Sequence, residues 1–88
     1  MNRQIELLIE RAENGEAWAQ NDLGCLYNEG KEVGLDYNKS FRLFLASAEQ
    51  GLAEAQYNLA RAYEEGEGVT RDDDKAIYWY TLAANQNY

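Results

Sequence analysis

The sequence predicts an all-α fold: a short α-solenoid of about five antiparallel helices, forming a single domain over residues 1–88. Two observations carry this. First, the chain repeats itself every 36 residues. Residues 12–47 align on 48–83 without a gap, and thirteen of the aligned positions are identical. Among them are Gly15/Gly51, Ala19/Ala55, Gln20/Gln56, Leu23/Leu59, Tyr27/Tyr63, Gly30/Gly66, Asp36/Asp72 and Lys39/Lys75. A repeat of this length marks stacked units, each burying its apolar face against the next. Second, apolar residues recur at i, i+3, i+4 and i+7, and no segment shows the alternation of a half-buried strand.

The elements follow in order. Ile5, Leu8, Ile9 and Ala12 put one apolar stripe on a first helix over residues 3–12, which Asn14-Gly15 ends. A second helix, 16–29, turns Ala19, Leu23, Leu26 and Tyr27 inward and stops at Gly30. Asp36 is a good N-cap for a third helix, about 37–49, with Phe41, Phe44, Leu45 and Ala48 inward. A fourth, about 52–65, repeats the second with Leu59, Ala62 and Tyr63. Asp72 caps a fifth, about 73–86, with Ala76, Ile77, Tyr80 and Ala84 inward. Asp73 and Asp74 suit the positive end of its dipole. Gly24 and its counterpart Ala60 are small, which lets the paired helix approach closely.

Composition excludes several roles. The net charge is −8, from 8 basic and 16 acidic residues. Phosphate must be met by Lys and Arg, so nucleic acid is disfavoured, as are anionic membrane surfaces. A basic protein partner is favoured instead. The single cysteine, Cys25, cannot form an internal disulfide, which fits a reducing compartment and a cytoplasmic location. No run approaches 18 uninterrupted apolar residues, and residues 1–13 are too charged for a signal peptide.

One string is specific to a family. Gly66-x-Gly68-Val69-x-x-Asp72-x-x-Lys75-Ala76-x-x-Trp79-Tyr80-x-x-Ala83-Ala84 closely resembles the Sel1-like repeat, a relative of the tetratricopeptide repeat. The first copy departs from it: Glu32 replaces the second loop glycine, Ser40 the alanine, and Leu43-Phe44 the Trp-Tyr pair. The resemblance divides the chain into a half repeat or capping helix at 3–14, repeat one at 15–50 and repeat two at 51–87. It implies a right-handed α-solenoid of helix-turn-helix units that binds protein rather than performs catalysis. Glu32 would adopt a positive φ only at a cost, so Gly34 is expected to absorb the turn and the two inter-helix loops to differ in shape.

Catalytic chemistry finds no framework. Without histidine, no Ser-His or Cys-His pair can form. Glu29, one turn from Cys25, would raise its thiol pKa rather than lower it. Asp72-Asp73-Asp74 with Glu64, Glu65 and Glu67 does not match an EF-hand spacing, and capping plus a solvated face accounts for these acids. No catalytic residue, metal or cofactor is expected.

A binding surface is left. By resemblance, the first helix of each unit lines the concave side. The candidate protein-binding residues are Trp18, Asn21, Asp22, Cys25, Asn28 and Glu29 in repeat one, and Glu54, Tyr57, Asn58, Arg61, Glu64 and Glu65 in repeat two. Helical geometry agrees, since 18, 21, 25 and 28 share a face, as do 54, 57, 61 and 64. Trp18 stands out because its counterpart is Glu54. It reads either as an interface anchor or as a cover over the side of the first helix. At the other end, Trp79 and Tyr80 are expected to pack inside and Tyr78, Leu82 and Tyr88 to stay open, so the uncapped C-terminal helix offers a homodimer contact. The expected function is an adaptor or scaffold binding another protein. The alternative is an acidic inhibitor, an immunity protein neutralising a basic toxin such as a nuclease.

Overall fold

The computed structural model describes residues 2–88. Among them run five helices: α1 (Arg3–Glu13), α2 (Ala17–Glu29), α3 (Tyr37–Glu49), α4 (Ala53–Glu65) and α5 (Asp73–Asn85). Each packs on the next, giving the order α1–α2, α2–α3, α3–α4, α4–α5 in a body 38 × 24 × 17 Å. Hydrogen bonds at both ends of the α2–α3 pair show that it is antiparallel. The Asp36 N–H donates to the Tyr27 carbonyl (3.0 Å), while the Ser47 hydroxyl donates to the Ala17 carbonyl (2.7 Å). This is an all-α solenoid with its helices stacked in chain order.

The aspartates cap as their positions require. Asp36 accepts from the Lys39 N–H (3.0 Å) and Asp72 from the Lys75 N–H (3.1 Å). Asn2 does the same for Ile5 at the start of α1 (2.8 Å). Each cap satisfies one N–H that the helix itself leaves without a partner. The two identical lysines then reach back to the two identical tyrosines. Lys39 Nζ lies 5.2 Å from the Tyr27 ring centre and Lys75 Nζ 5.6 Å from that of Tyr63.

The core is one cluster built twice. Ala12, Ala19 and Leu23, with Leu8, Ile9, Tyr27 and Leu43 against them, form the first copy. Ala48, Ala55, Leu59 and Phe44, with Leu45, Tyr63 and Trp79, form the second, 36 residues on. Gly24 is where α3 comes nearest. A Cβ there would lie 2.8 Å from the Phe44 ring, which is itself fully buried. The small residue is what lets Phe44 seat.

The fifth helix turns differently from expectation. Ala76 and Ala83 are buried, whereas Ile77 is 63% exposed and Ala84 also faces out. Among the described residues α5 packs chiefly on α4, so the stripe facing α4 is the part that is best covered. Its end is not bare either. Asn87 takes a left-handed φ of 66°, one repeat after Gly51 and two after Gly15, and the Tyr88 N–H donates to the Ala83 carbonyl (3.2 Å). The backbone of α5 is therefore closed by a turn, and what remains open is its side-chain face.

The loops correct another expectation. They do not differ in shape. Glu32 itself takes the left-handed conformation at φ 63°, matching Gly68 at φ 78°, and the flanking hydrogen bonds of the two loops coincide residue for residue. Gly34 takes no positive φ. Glycine is required at 68 for a second reason: a Cβ there would overlap the Tyr37 carbonyl and come within 3.0 Å of the Phe41 Cβ. At Glu32 the side chain finds room instead, and its carboxylate accepts from the Asn2 amide (2.9 Å).

Two stability tests follow, both readable by urea denaturation. Gly68→Ala should destabilise by more than about 1 kcal/mol, whereas Glu32→Gly should be neutral or stabilising by about 0.5–1 kcal/mol. Equal effects would mean the loops are not held by the same turn. Gly24→Ala should lose on the order of 1 kcal/mol, because overpacking outweighs the gain in helix propensity. That loss should shrink in a Phe44→Leu background; an unchanged loss would remove the ring contact as its cause.

Candidate functional site

The turns between units are held by a polar clamp that occurs twice. The Gln50 amide donates to the Gly15 carbonyl (2.9 Å) and to Gln20 Oε1 (2.8 Å). Gln86 does the same to Gly51 (2.9 Å) and Gln56 (3.0 Å). Gln20 and Gln56 in turn donate to the carbonyls of Ala12 (3.3 Å) and Ala48 (3.5 Å). The clamp fixes the start of α2 and of α4, and so aims corresponding faces of both helices the same way.

Those faces carry the twelve residues singled out in the sequence. On α2, Trp18 is 50% exposed, and its indole N–H donates to Glu16 (3.2 Å), which also pairs with Arg11 (3.5 Å). Asp22 and Glu29 are exposed, Glu29 beside Lys31 (3.4 Å). Cys25 and Asn28 are half-buried. On α4, Glu54, Tyr57, Glu64 and Glu65 are exposed, and Asn58 and Arg61 are half-buried. Asn21 departs from the group. It is 3% exposed, and its side-chain oxygen accepts from the Asn58 amide (3.0 Å), so it joins α2 to α4 rather than facing a groove. Asn28 is likewise drawn inward, donating to Glu67 in the loop after α4 (3.1 Å).

Cys25 sits in the same seam, 3.7 Å from the Asn58 amide. Burial pushes its thiol pKa up, with Asp22 and Glu29 adding to the effect and Arg61 opposing it. A thiol so placed is a poor nucleophile at neutral pH. The aspartate run is also accounted for. Asp72 caps α5, and Asp73 pairs with Arg71 (3.2 Å). Among the described residues no group of His, Cys, Asp and Glu side chains could hold a metal ion, and no helix is long and apolar enough to cross a membrane.

Sequence reasoning missed an aromatic cluster at the C-terminal end of this face. Tyr57 meets Tyr80 edge-on (5.2 Å between centroids) and lies tilted against Tyr88 (5.6 Å). The Tyr80 hydroxyl donates to Glu64 (2.8 Å). The repeat register bears on Tyr88 alone, which falls 36 residues after Leu52, a residue packed on the core. A separate cleft of about 340 Å³ opens between α1 and α3, walled by Ile9, Leu23 and Leu43 with Lys39 and Arg42 on its rim. Leu43 stands in its wall where the second copy has Trp79, and the cleft uses the opposite side of α2 from Trp18 and Cys25.

A family model described as the Sel1 repeat matches residues 19–52 and 53–88. No curated protein matches the chain. Among solved structures, a Sel1 repeat protein from Oxalobacter formigenes is 39% identical with a TM-score of 0.81, covering 84% of this chain and 30% of its own. A second is c5321, a protective antigen present in uropathogenic Escherichia coli strains displaying an SLR fold. It is 41% identical with a TM-score of 0.90, covering 92% of this chain and 17% of its own. The chain thus spans less than a third of the length of either.

Burial, then the hydrogen bond to Glu64, push the Tyr80 pKa up to about 12. A pKa raised on folding adds stability that is fully present below the unfolded value near 10 and is lost as pH rises through 12. Tyrosine-labelled NMR should show Tyr80 retaining its proton to about pH 12. Glu64→Gln should lower that value, and no change would remove Glu64 from the cause.

Proposed function

This chain belongs to the Sel1 repeat family, and on that premise we propose that it is a non-catalytic protein-interaction module, an adaptor or scaffold that binds a protein partner through its concave side, along the faces of α2 and α4 that carry the twelve residues. The observation that carries this reading is the make-up of that face. Exposed aromatic rings at Trp18 and Tyr57 are set among the carboxylates of Asp22, Glu29, Glu54, Glu64 and Glu65. A half-exposed Trp gives a large rigid contact, the residue type that most often dominates an interface. Carboxylates around it speed encounter with a basic partner and add less to the affinity of the formed complex. Of the twelve residues, Arg61 alone is basic.

The net charge of −8 favours a second, narrower reading: an acidic inhibitor, or immunity protein, whose carboxylates occupy the basic site of a toxin such as a nuclease. Both readings place the contact on the same face and differ in the partner. The lone unpaired Cys25 suits action in a reducing compartment such as the cytoplasm.

Capture from the source cell, with the partner identified and its affinity then measured, tests the face. Trp18→Ala should weaken binding by about thirtyfold, the loss of about 2 kcal/mol typical of an anchor. Asp22→Lys should slow association, and the wild-type rate should fall steeply with salt if the partner is basic. If neither substitution changes binding, the α2–α4 face is not the site. A salt-insensitive association would sink the basic-partner version and leave the adaptor reading standing.

A further inference from the structure

The cleft of about 340 Å³ between α1 and α3 has a counterpart one repeat later, built from nearly the same residues. Its walls are α1 and α3 and its floor is α2, so it lies within the stack and not at an end of it. Ala12, Glu13, Leu23, Tyr27 and Lys39 around it have identical counterparts 36 residues on, and Ile9 has Leu45. Only Arg42 and Leu43 change in kind, to Tyr78 and Trp79. In the second copy the Trp79 indole packs on the cluster of Phe44, Ala48, Leu59 and Tyr63. The Tyr78 ring stands edge-on against it, centroids 5.2 Å apart. The same framework therefore seats an indole in one copy and carries a smaller leucine side chain in the other.

The exchange also alters the rim. Arg42 puts a guanidinium where the second copy has the Tyr78 ring. Lys39, one turn earlier on the same face of α3, has its Nζ 5.2 Å from the Tyr27 ring centre. Both side chains are exposed, and neither forms an ion pair among the described residues. Glu13 borders the cleft from α1 and recurs as Glu49, so the charge peculiar to this copy is that of Arg42. Two cations and one carboxylate leave the rim net positive on a chain of net charge −8. A guanidinium binds a carboxylate through two parallel hydrogen bonds and also stacks on aromatic rings. Size narrows the choice further. One turn of a helix about 10 Å across fills roughly 400 Å³, more than the cleft holds. Small-molecule sites span about 300–1,000 Å³, a range that includes it.

We propose that this cleft binds a small aromatic carboxylic acid. The ring lies against Ile9, Leu23 and Leu43, seated as the Trp79 indole is in the second copy, and the carboxylate meets Arg42 and Lys39. The site lies across α2 from Trp18, so it and the α2–α4 face can each fail without the other.

The labelled full chain is titrated with indole-3-propionate, its uncharged amide and the cation tryptamine, and backbone shifts are read by NMR. Shifts from the acid should centre on Ile9, Leu23 and Leu43. The acid should bind on the order of twofold to fivefold tighter than the amide, as one exposed ion pair allows, and tryptamine should bind most weakly. Leu43→Trp, which installs the residue of the second copy, should weaken the acid at least tenfold. Arg42→Tyr, which changes an exposed side chain, should bring acid and amide to the same affinity. Absence of binding at millimolar acid, equal affinity of acid and amide for the unaltered chain, a preference for tryptamine, or shifts centred on Trp18 would overturn the proposal. So would undiminished binding by a folded Leu43→Trp chain. A Trp-Asp peptide blocked at both ends that binds at least tenfold tighter than the free acid would also overturn it, because the occupant would then be a segment of a partner protein.

Discussion

Ala55 and Leu59 are completely shielded from solvent because α4 lies between two neighbours, α3 before it and α5 after it. That double coverage is the constraint on which the remainder depends. A single helix pair could cover one side of such a helix only, and stacking covers the second. Ala19 and Leu23 reproduce the arrangement in α2, between α1 and α3. The consequence for α1 is direct. Without it, the apolar stripe of α2 would face water, so this helix performs for the first unit what α3 performs for the second.

Stacking also explains which repeated residues are polar. Gln20 and Gln56, with Gln50 and Gln86, donate to backbone carbonyls at each turn between units. Asp36 and Asp72 bind the free N–H groups at the opposite ends. Buried backbone groups at helix termini need such partners, and these side chains provide them at the same register each time. Exposed ion pairs contribute little by comparison, since Arg11–Glu16, Glu29–Lys31 and Arg71–Asp73 all lie in solvent.

Where the two copies differ, the neighbour is the reason. Gly68 cannot carry a side chain because α3 begins against it, whereas Glu32 can, at the cost of a left-handed backbone. Leu43 lines a cleft where Trp79 packs on the core of the second copy. Asn28 meets a loop and Glu64 does not, so one became a donor inside the molecule and the other an acceptor at its surface. A repeat thus specifies its own fold together with half of each contact to the units beside it.

The sequence by itself determined the five helices, the Asp36 and Asp72 caps and the small residue at Gly24, because period, capping chemistry and side-chain size are local properties. The apolar faces of α2 and α4, each with a neighbour on both sides, were legible. Only the tertiary structure decided the rest. Asn21 shares a helical face with Trp18, yet Asn58 arrives from the next unit and buries it. Ile77 keeps the register of Phe41, yet no helix among the described residues covers it. Tyr57, Tyr80 and Tyr88 are far enough apart in the chain that nothing local gathers them into one cluster. Periodicity reports which side of a helix is apolar, but exposure depends on whether another helix is there to meet it.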